Sequence, residues 1–300
     1  MYVRMNEKIA GTKTSIVPKV IIYILLILLL ISIVVPVAWV FMASIKQNTE
    51  FYGNPFALPQ GVYLQNFVDA WTKARMGDYF FYSVVITALS LFILLLVALP
   101  ASYVLSRYRF WGSKVLNTCF MAGLFINVSY IVVPIFLMFV SGDKIVKSMF
   151  GTTFFLNNPF VVAVVLASTT LPFTIYLLSG YLATLPKDYE EAAYVDGAGY
   201  FTTMVRIILP MAKPSIITVI LFEFLAYWNE YIISMTMLTD PNGVRTLPVG
   251  LLNLMKAQNA KAEYGQMYAG MVMVMLPTLI LYMCVQKKLT QGMTLGGLKG

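Results

Sequence analysis

Val20-Ile21-Ile22-Tyr23-Ile24-Leu25-Leu26-Ile27-Leu28-Leu29-Leu30-Ile31-Ser32-Ile33-Val34-Val35-Pro36-Val37-Ala38-Trp39-Val40-Phe41 runs for 22 residues without one charged side chain. A bilayer core takes about 20 apolar residues as a helix, and lipid offers no partner to an open backbone group. The run is therefore predicted to cross a membrane as an α-helix. Arg4, Lys8, Lys13 and Lys19 precede it, as in a signal peptide. The apolar stretch is too long for one, however, and no small-x-small cleavage site follows before Lys46, so a retained signal anchor is expected. Outward from this run, five more stretches qualify: 79–105, 115–140, 160–182, 216–238 and 267–285. The expected fold class is all-α integral membrane with six transmembrane helices, residues 1–19 forming the N-terminal segment and 286–300 a C-terminal tail.

The whole composition agrees. Hydrophobic residues make up 59% of the 300 and charged ones 11%, with a mean hydropathy of +0.78, against about 25% charged in soluble domains. The net charge of +8 comes from bases scattered between apolar stretches, never in a dense run, which fits membrane-flanking cations and argues against nucleic acid. Placing the N-terminus in the cytoplasm puts 13 of the 21 Lys and Arg inside with five acids, and eight bases outside with six acids. Both termini are therefore expected in the cytoplasm. There is no histidine, which removes histidine triads and histidine-metal sites. Cys119 and Cys284 lie far apart in apolar segments and form no metal or redox pair. Five spans carry proline (Pro36, Pro100, Pro134, Pro172, Pro277). These suit a kink beside a cavity, or simply the higher proline usage of membrane helices. Residues 64–75 have helical spacing and suit a helix lying on the membrane surface. No internal repeat is evident.

The 183–215 loop between the fourth and fifth stretches carries the most information. Leu185-Pro186-Lys187-Asp188-Tyr189-Glu190-Glu191-Ala192-Ala193-Tyr194-Val195-Asp196-Gly197 reads as a short helix, with Pro186 suited to its first position, acids in its first turn and a glycine to end it. A second helix is expected over 200–209, stopping at Pro210. Tyr189, Ala192, Ala193 and Asp196 recur at three- and four-residue steps and predict a narrow face of small residues suited to a groove on a soluble partner. A hairpin resting on the bilayer is the alternative.

Glu191-Ala192-Ala193, three residues, Gly197, nine residues, then Ile207-Ile208-Leu209-Pro210 resembles the EAA loop of ABC importer permeases at every consensus position. Seven such positions coincide by chance roughly once in 10^8 registers. Asp196-Gly197-Ala198-Gly199, Lys213-Pro214-Ser215, Trp228-Asn229-Glu230, Leu238-Thr239-Asp240-Pro241 and Arg245-Thr246-Leu247-Pro248-Val249-Gly250 resemble the carbohydrate branch of that family, its MalG-like members. So does the tail from Gly292 to Gly300, although Met293 and Leu295 stand where leucine and alanine are common. The dense resemblance covers 172–300, and the first half agrees in topology alone.

The resemblance implies a type I ABC importer transmembrane domain in a bacterial cell membrane. The 183–215 loop would be a coupling helix seated on a cytoplasmic ATPase dimer, and the partners would be a second, MalF-like permease, an extracellular solute-binding protein and a sugar. It assigns Glu191 to polar contact with the ATPase and Ala192 and Ala193 to close packing, with Glu190 and Asp196 in the same ATPase-coupling set. Gly197 takes the turn, Leu209 and Pro210 the end of the motif, and Lys299 a contact from the tail. The chain would bind no cofactor. ATP and Mg would sit on the ATPase, because Gly11-Thr12-Lys13-Thr14 lacks the phosphate-loop spacing.

Charge inside a span is expensive and marks function or a partner charge. Glu223 and Glu230 are two helical turns apart with Tyr227 between them, and Trp228 and Asn229 lie alongside. One reading makes them a stripe lining a sugar pathway, and the other makes them bonds to the companion permease. Asn127, Ser129, Tyr130, Ser168, Thr169, Thr170 and Thr174 read mainly as hydrogen-bonding glue between helices. Outside the leading reading stand an ABC permease for a polyamine or glycerol-phosphate, and an ion-coupled secondary transporter, which leaves the loop spacing unexplained. A membrane enzyme lacks its catalytic constellation.

Overall fold

The computed structural model describes residues 16–240, 242–261 and 263–297. Its helices are α1 (Ile16–Ser44), α2 (Gln65–Thr72), α3 (Met76–Arg107), α4 (Ser113–Gly123), α5 (Val128–Phe150) and α6 (Pro159–Thr184). They continue with α7 (Asp188–Val195), α8 (Tyr200–Met211), α9 (Lys213–Trp228), α10 (Ile232–Met237), α11 (Leu247–Lys261) and α12 (Tyr264–Gly297). Among the described residues five helices are long and apolar enough to cross a membrane: α1, α3, α5, α6 and α12. A sixth crossing is reached if α8 and α9, which meet at 75°, count as one.

The core lies where α3 packs along α6. Ile86, Leu94 and Ala98 of α3 and Val162, Leu166, Ile175 and Leu178 of α6 are buried there. α3 also buries the small side chains of Ser83, Thr87, Ser90 and Ser102, and Ser83 accepts the Leu247 N–H of α11 at 2.7 Å. Ser90 and Ser102 return their hydroxyls to their own helix, donating to the carbonyls of Ile86 (2.7 Å) and Ala98 (2.6 Å). Small residues with self-satisfied hydroxyls let helices approach in lipid, where no hydrophobic effect drives them together. α9 and α11 also pack on α3, and α1 leans on α12 with its apolar residues from Val20 to Val35 exposed, as a lipid-facing helix requires.

α1 is pinned at its end. Lys46 is fully buried, donates from Nζ to the Pro55 carbonyl at 2.8 Å and lies 4.5 Å over the Trp39 ring. Asn66 donates to the carbonyls of Ser44 and Lys46, fastening α2 to the same point. α2 buries Asn66 and Ala70 against the bundle, contacting α12 and α3, and leaves the apolar side chains of Val68 and Trp71 exposed.

Two expected spans are broken. The stretch 115–140 is two helices, because Gly123 ends α4 and the Asn127 side chain accepts the Ser129 N–H at 2.9 Å to cap α5, which runs on to Phe150. Pro172 of α6 fills the space beside Gly123, where a Cβ would stand 2.8 Å from its Cγ. The stretch 216–238 ends as a helix at Trp228 and resumes at Ile232. Asn229 turns its amide back to the Leu225 carbonyl at 2.8 Å, and Glu230 takes the first N–H groups of α10. Short polar side chains compete with the helical ladder in this way. All five span prolines lie inside helices, α1, α3, α5, α6 and α12.

Candidate functional site

The loop folds as two helices and a turn. Asp188, Glu190 and Glu191 fill the first turn of α7, where the helix dipole favours acids. Gly197 follows at φ +78°, a left-handed conformation that costs a residue with a Cβ, and sends the chain into α8. The second helix does not stop at Pro210 as expected. Met204–Ile208 widens into a π-turn, the Leu209 N–H reaching back to the Met204 carbonyl, and this slack carries the helix through the proline to Met211. The hinge comes at Ala212. Buried Met204, Ile208 and Ala212 join Tyr103 and Leu182 in a small core, with Leu209 packed beside it, so the root of the loop is fixed to α3 and α6.

α7 shows two different faces. Ala193 is 4% exposed and turned inward, while Glu191, Ala192 and Asp196 face out. Tyr194 and Val195 are 71% and 87% exposed, and Phe201 on α8 is 69% exposed. The expected face of Tyr189, Ala192, Ala193 and Asp196 is therefore split, since Ala193 belongs to the buried side. Pro186 precedes α7 and does not begin it.

Glu190 also points inward. Its Oε1 lies 3.1 Å from Arg107 Nε, with the two side chains 16% and 4% exposed. Arg107 is the last residue of α3, and its second nitrogen group donates from Nη2 to the Leu185 carbonyl at 2.9 Å. Tyr103 and Tyr108 both meet the ring of Tyr200 of α8 at a tilt, ring centres 5.4 and 5.3 Å from it. In the sequence Arg107 stands out only as a flanking cation; a basic residue at the end of one span and an acid in a remote loop give no local signal that they meet.

The polar residues of the fifth stretch are dispersed. Glu223 is 2% exposed, accepts from Thr174 Oγ1 of α6 at 3.2 Å and leaves Oε2 without a hydrogen bond. Tyr227 bonds its hydroxyl to that of Thr170, one turn along α6. Trp228 is 1% exposed, donates to the Val274 carbonyl of α12 at 3.0 Å and stacks on Phe224, so it anchors α9 and is not at a cavity edge. Asn229 is exposed, and Glu230 caps α10, accepting from the Ile233 and Ser234 N–H groups and the Ser234 hydroxyl at 2.6, 3.1 and 2.8 Å. No common face unites the two glutamates, because the helix ends between them. Lys299 lies outside the described residues.

Residues 98–295 match the model of the family described as binding-protein-dependent transport system inner membrane component, and this span includes the whole loop. The chain belongs to that family. Relatives of this permease include the diacetylchitobiose uptake system permease protein NgcG of Streptomyces coelicolor, 31% identical over 91% of this chain and 86% of the relative. The probable ABC transporter permease protein YurM of Bacillus subtilis is 31% identical over 93% and 88%. The trehalose/maltose transport system permease protein MalG of Thermococcus litoralis is 28% identical over 96% and 99%. The fold is that of a chain in the crystal structure of a bacterial ABC transporter involved in the import of the acidic polysaccharide alginate, with a TM-score of 0.74 at 20% identity over 92% of this chain and 98% of that one. The inner membrane component is thus a multi-pass permease with the type I ABC importer architecture.

Proposed function

We propose that this permease forms part of the translocation path of an ATP-driven importer for a sugar or oligosaccharide. The observation that carries this reading is α7, a helix whose one face is clamped to the membrane bundle and whose other presents Glu191, Ala192, Tyr194 and Val195. Relatives named for diacetylchitobiose and for trehalose and maltose support a carbohydrate as the solute. In this reading the loop face is cytoplasmic, with both termini on that side, and a cytoplasmic ATPase dimer holding ATP and Mg receives α7. Glu191 and Asp196 make polar contacts with the ATPase, Ala192 allows close approach, and Gly197 sets the angle between α7 and α8. Leu209 and Pro210 secure the loop's root, and Ala193 packs within the loop. Lys299 and the tail approach the same ATPase. A solute-binding protein delivers the solute at the opposite face, and a second, MalF-like permease completes the path. ATPase closure then displaces α7, and the helices joined to it alternate access.

The test is co-purification from gently solubilised membranes followed by uptake in proteoliposomes. A soluble ATPase and a second multi-span protein are expected with the wild type. Glu191→Lys is expected to remain inserted and to lose the ATPase. A chain that purifies alone and moves solute on an ion gradient would overturn the reading.

A further inference from the structure

We propose that Arg107 is the positioning residue through which displacement of α7 reaches α3; the proposal rests on the coupling role given to α7 above. Covalently, α7 is joined to α6 through residues 185–187 and to α8 through the turn at Gly197, and neither link leads to α3. Arg107 supplies the missing one. From the last residue of α3 its guanidinium holds the Leu185 carbonyl at 2.9 Å and faces the Glu190 carboxylate at 3.1 Å. A planar, permanently charged group suits two such partners at once. Tyr103 and Tyr108 reach Tyr200 beside it, so α3 meets the loop at its start, in the first turn of α7 and at the first residue of α8.

Both charges are largely buried, at 4% and 16% side-chain exposure. Neither group can be left behind in that setting without an uncompensated buried charge, so the two move together. The Arg107 Nε–H makes no hydrogen bond to the carboxylate. The attraction is one of charge, which survives small rotations of α7 that would break a directional bond. Pro100 interrupts the hydrogen-bond ladder of α3 two turns before Arg107, giving the terminal segment of α3 freedom to follow the loop. A pull on α7 would swing this end of α3 and, through the long α3–α6 contact, the core of the permease.

The experiment uses the whole complex in proteoliposomes: this chain, its companion permease, the ATPase and the solute-binding protein. Solute moved per ATP hydrolysed is measured beside the amount of ATPase that co-purifies. Arg107→Met is expected to keep the ATPase bound while transport per ATP falls about tenfold, within the usual range of coupling between sites. Glu190→Gln, which preserves shape, should do the same and stands in if Arg107→Met fails to insert. Exchanging the charges, Arg107→Glu with Glu190→Arg, should restore most of the ratio. The proposal is overturned by a wild-type ratio in both single variants, by loss of bound ATPase in step with transport, or by an exchange that restores nothing while all variants assemble. If the wild-type complex itself moves solute without ATP, the importer reading falls and takes this proposal with it, an outcome separate from wild-type and variant complexes that work equally well.

Discussion

Glu223 and Glu230 are both glutamates of the fifth apolar stretch, and the chain uses them in opposite ways. Glu223 is enclosed between α9 and α6 with one oxygen on Thr174 and the other unpaired, whereas Glu230 spends its carboxylate on the N–H groups of α10. Removing the Thr174 donor to Glu223 by Thr174→Val should cost about 1–3 kcal/mol, the penalty for a buried polar group left unsatisfied. It should register as a lower melting temperature in detergent, and an unchanged melting temperature would show that Glu223 finds another partner. Glu223→Gln keeps an acceptor for Thr174 and should be milder than Thr174→Val in the same assay. Counting seven residues in the sequence places the two glutamates two turns apart on one face only if the helix is unbroken, and it ends at Trp228. The clue was present in Asn229, whose short amide favours bonding to nearby backbone, but such a residue inside an apolar run is also common in intact membrane helices.

At the scale of elements, capping decides the breaks. Glu230→Ala removes three acceptor contacts from the first turn of α10 and should cost about 0.5–2 kcal/mol. Hydrogen exchange should report this as faster exchange confined to residues 232–237, and no change there would mean that packing of Ile233 and Met237 alone holds α10. The main apolar runs and the helix–turn–helix of the loop were legible in the sequence, since period, acids in the first turn and a glycine in the turn all point the same way. The π-turn was not. Pro210 normally ends a helix, and only the placement of Met204, Ile208 and Ala212 in one small core makes a widened turn preferable to a stop. The inward direction of Glu190 was equally hidden, because it depends on where α3 ends in space.

For the molecule as a whole, burial is uneven: the α3–α6 seam is packed on both sides, while α1 is exposed along its apolar length. Leu178→Ala in the seam should therefore cost about 2–5 kcal/mol, and Leu26→Ala, at a position 60% exposed, should shift the melting temperature far less. Equal losses would mean that another surface covers α1. The short reach of α9 has a consequence for the backbone that follows it. Sixteen residues rise about 24 Å, less than the ~30 Å of hydrocarbon they stand in. Backbone that leaves a helix at that depth is tolerated only against protein or water. The chain that continues past Trp228 must therefore keep its backbone partnered within the protein, and the Glu230 carboxylate does this for the opening N–H groups of α10.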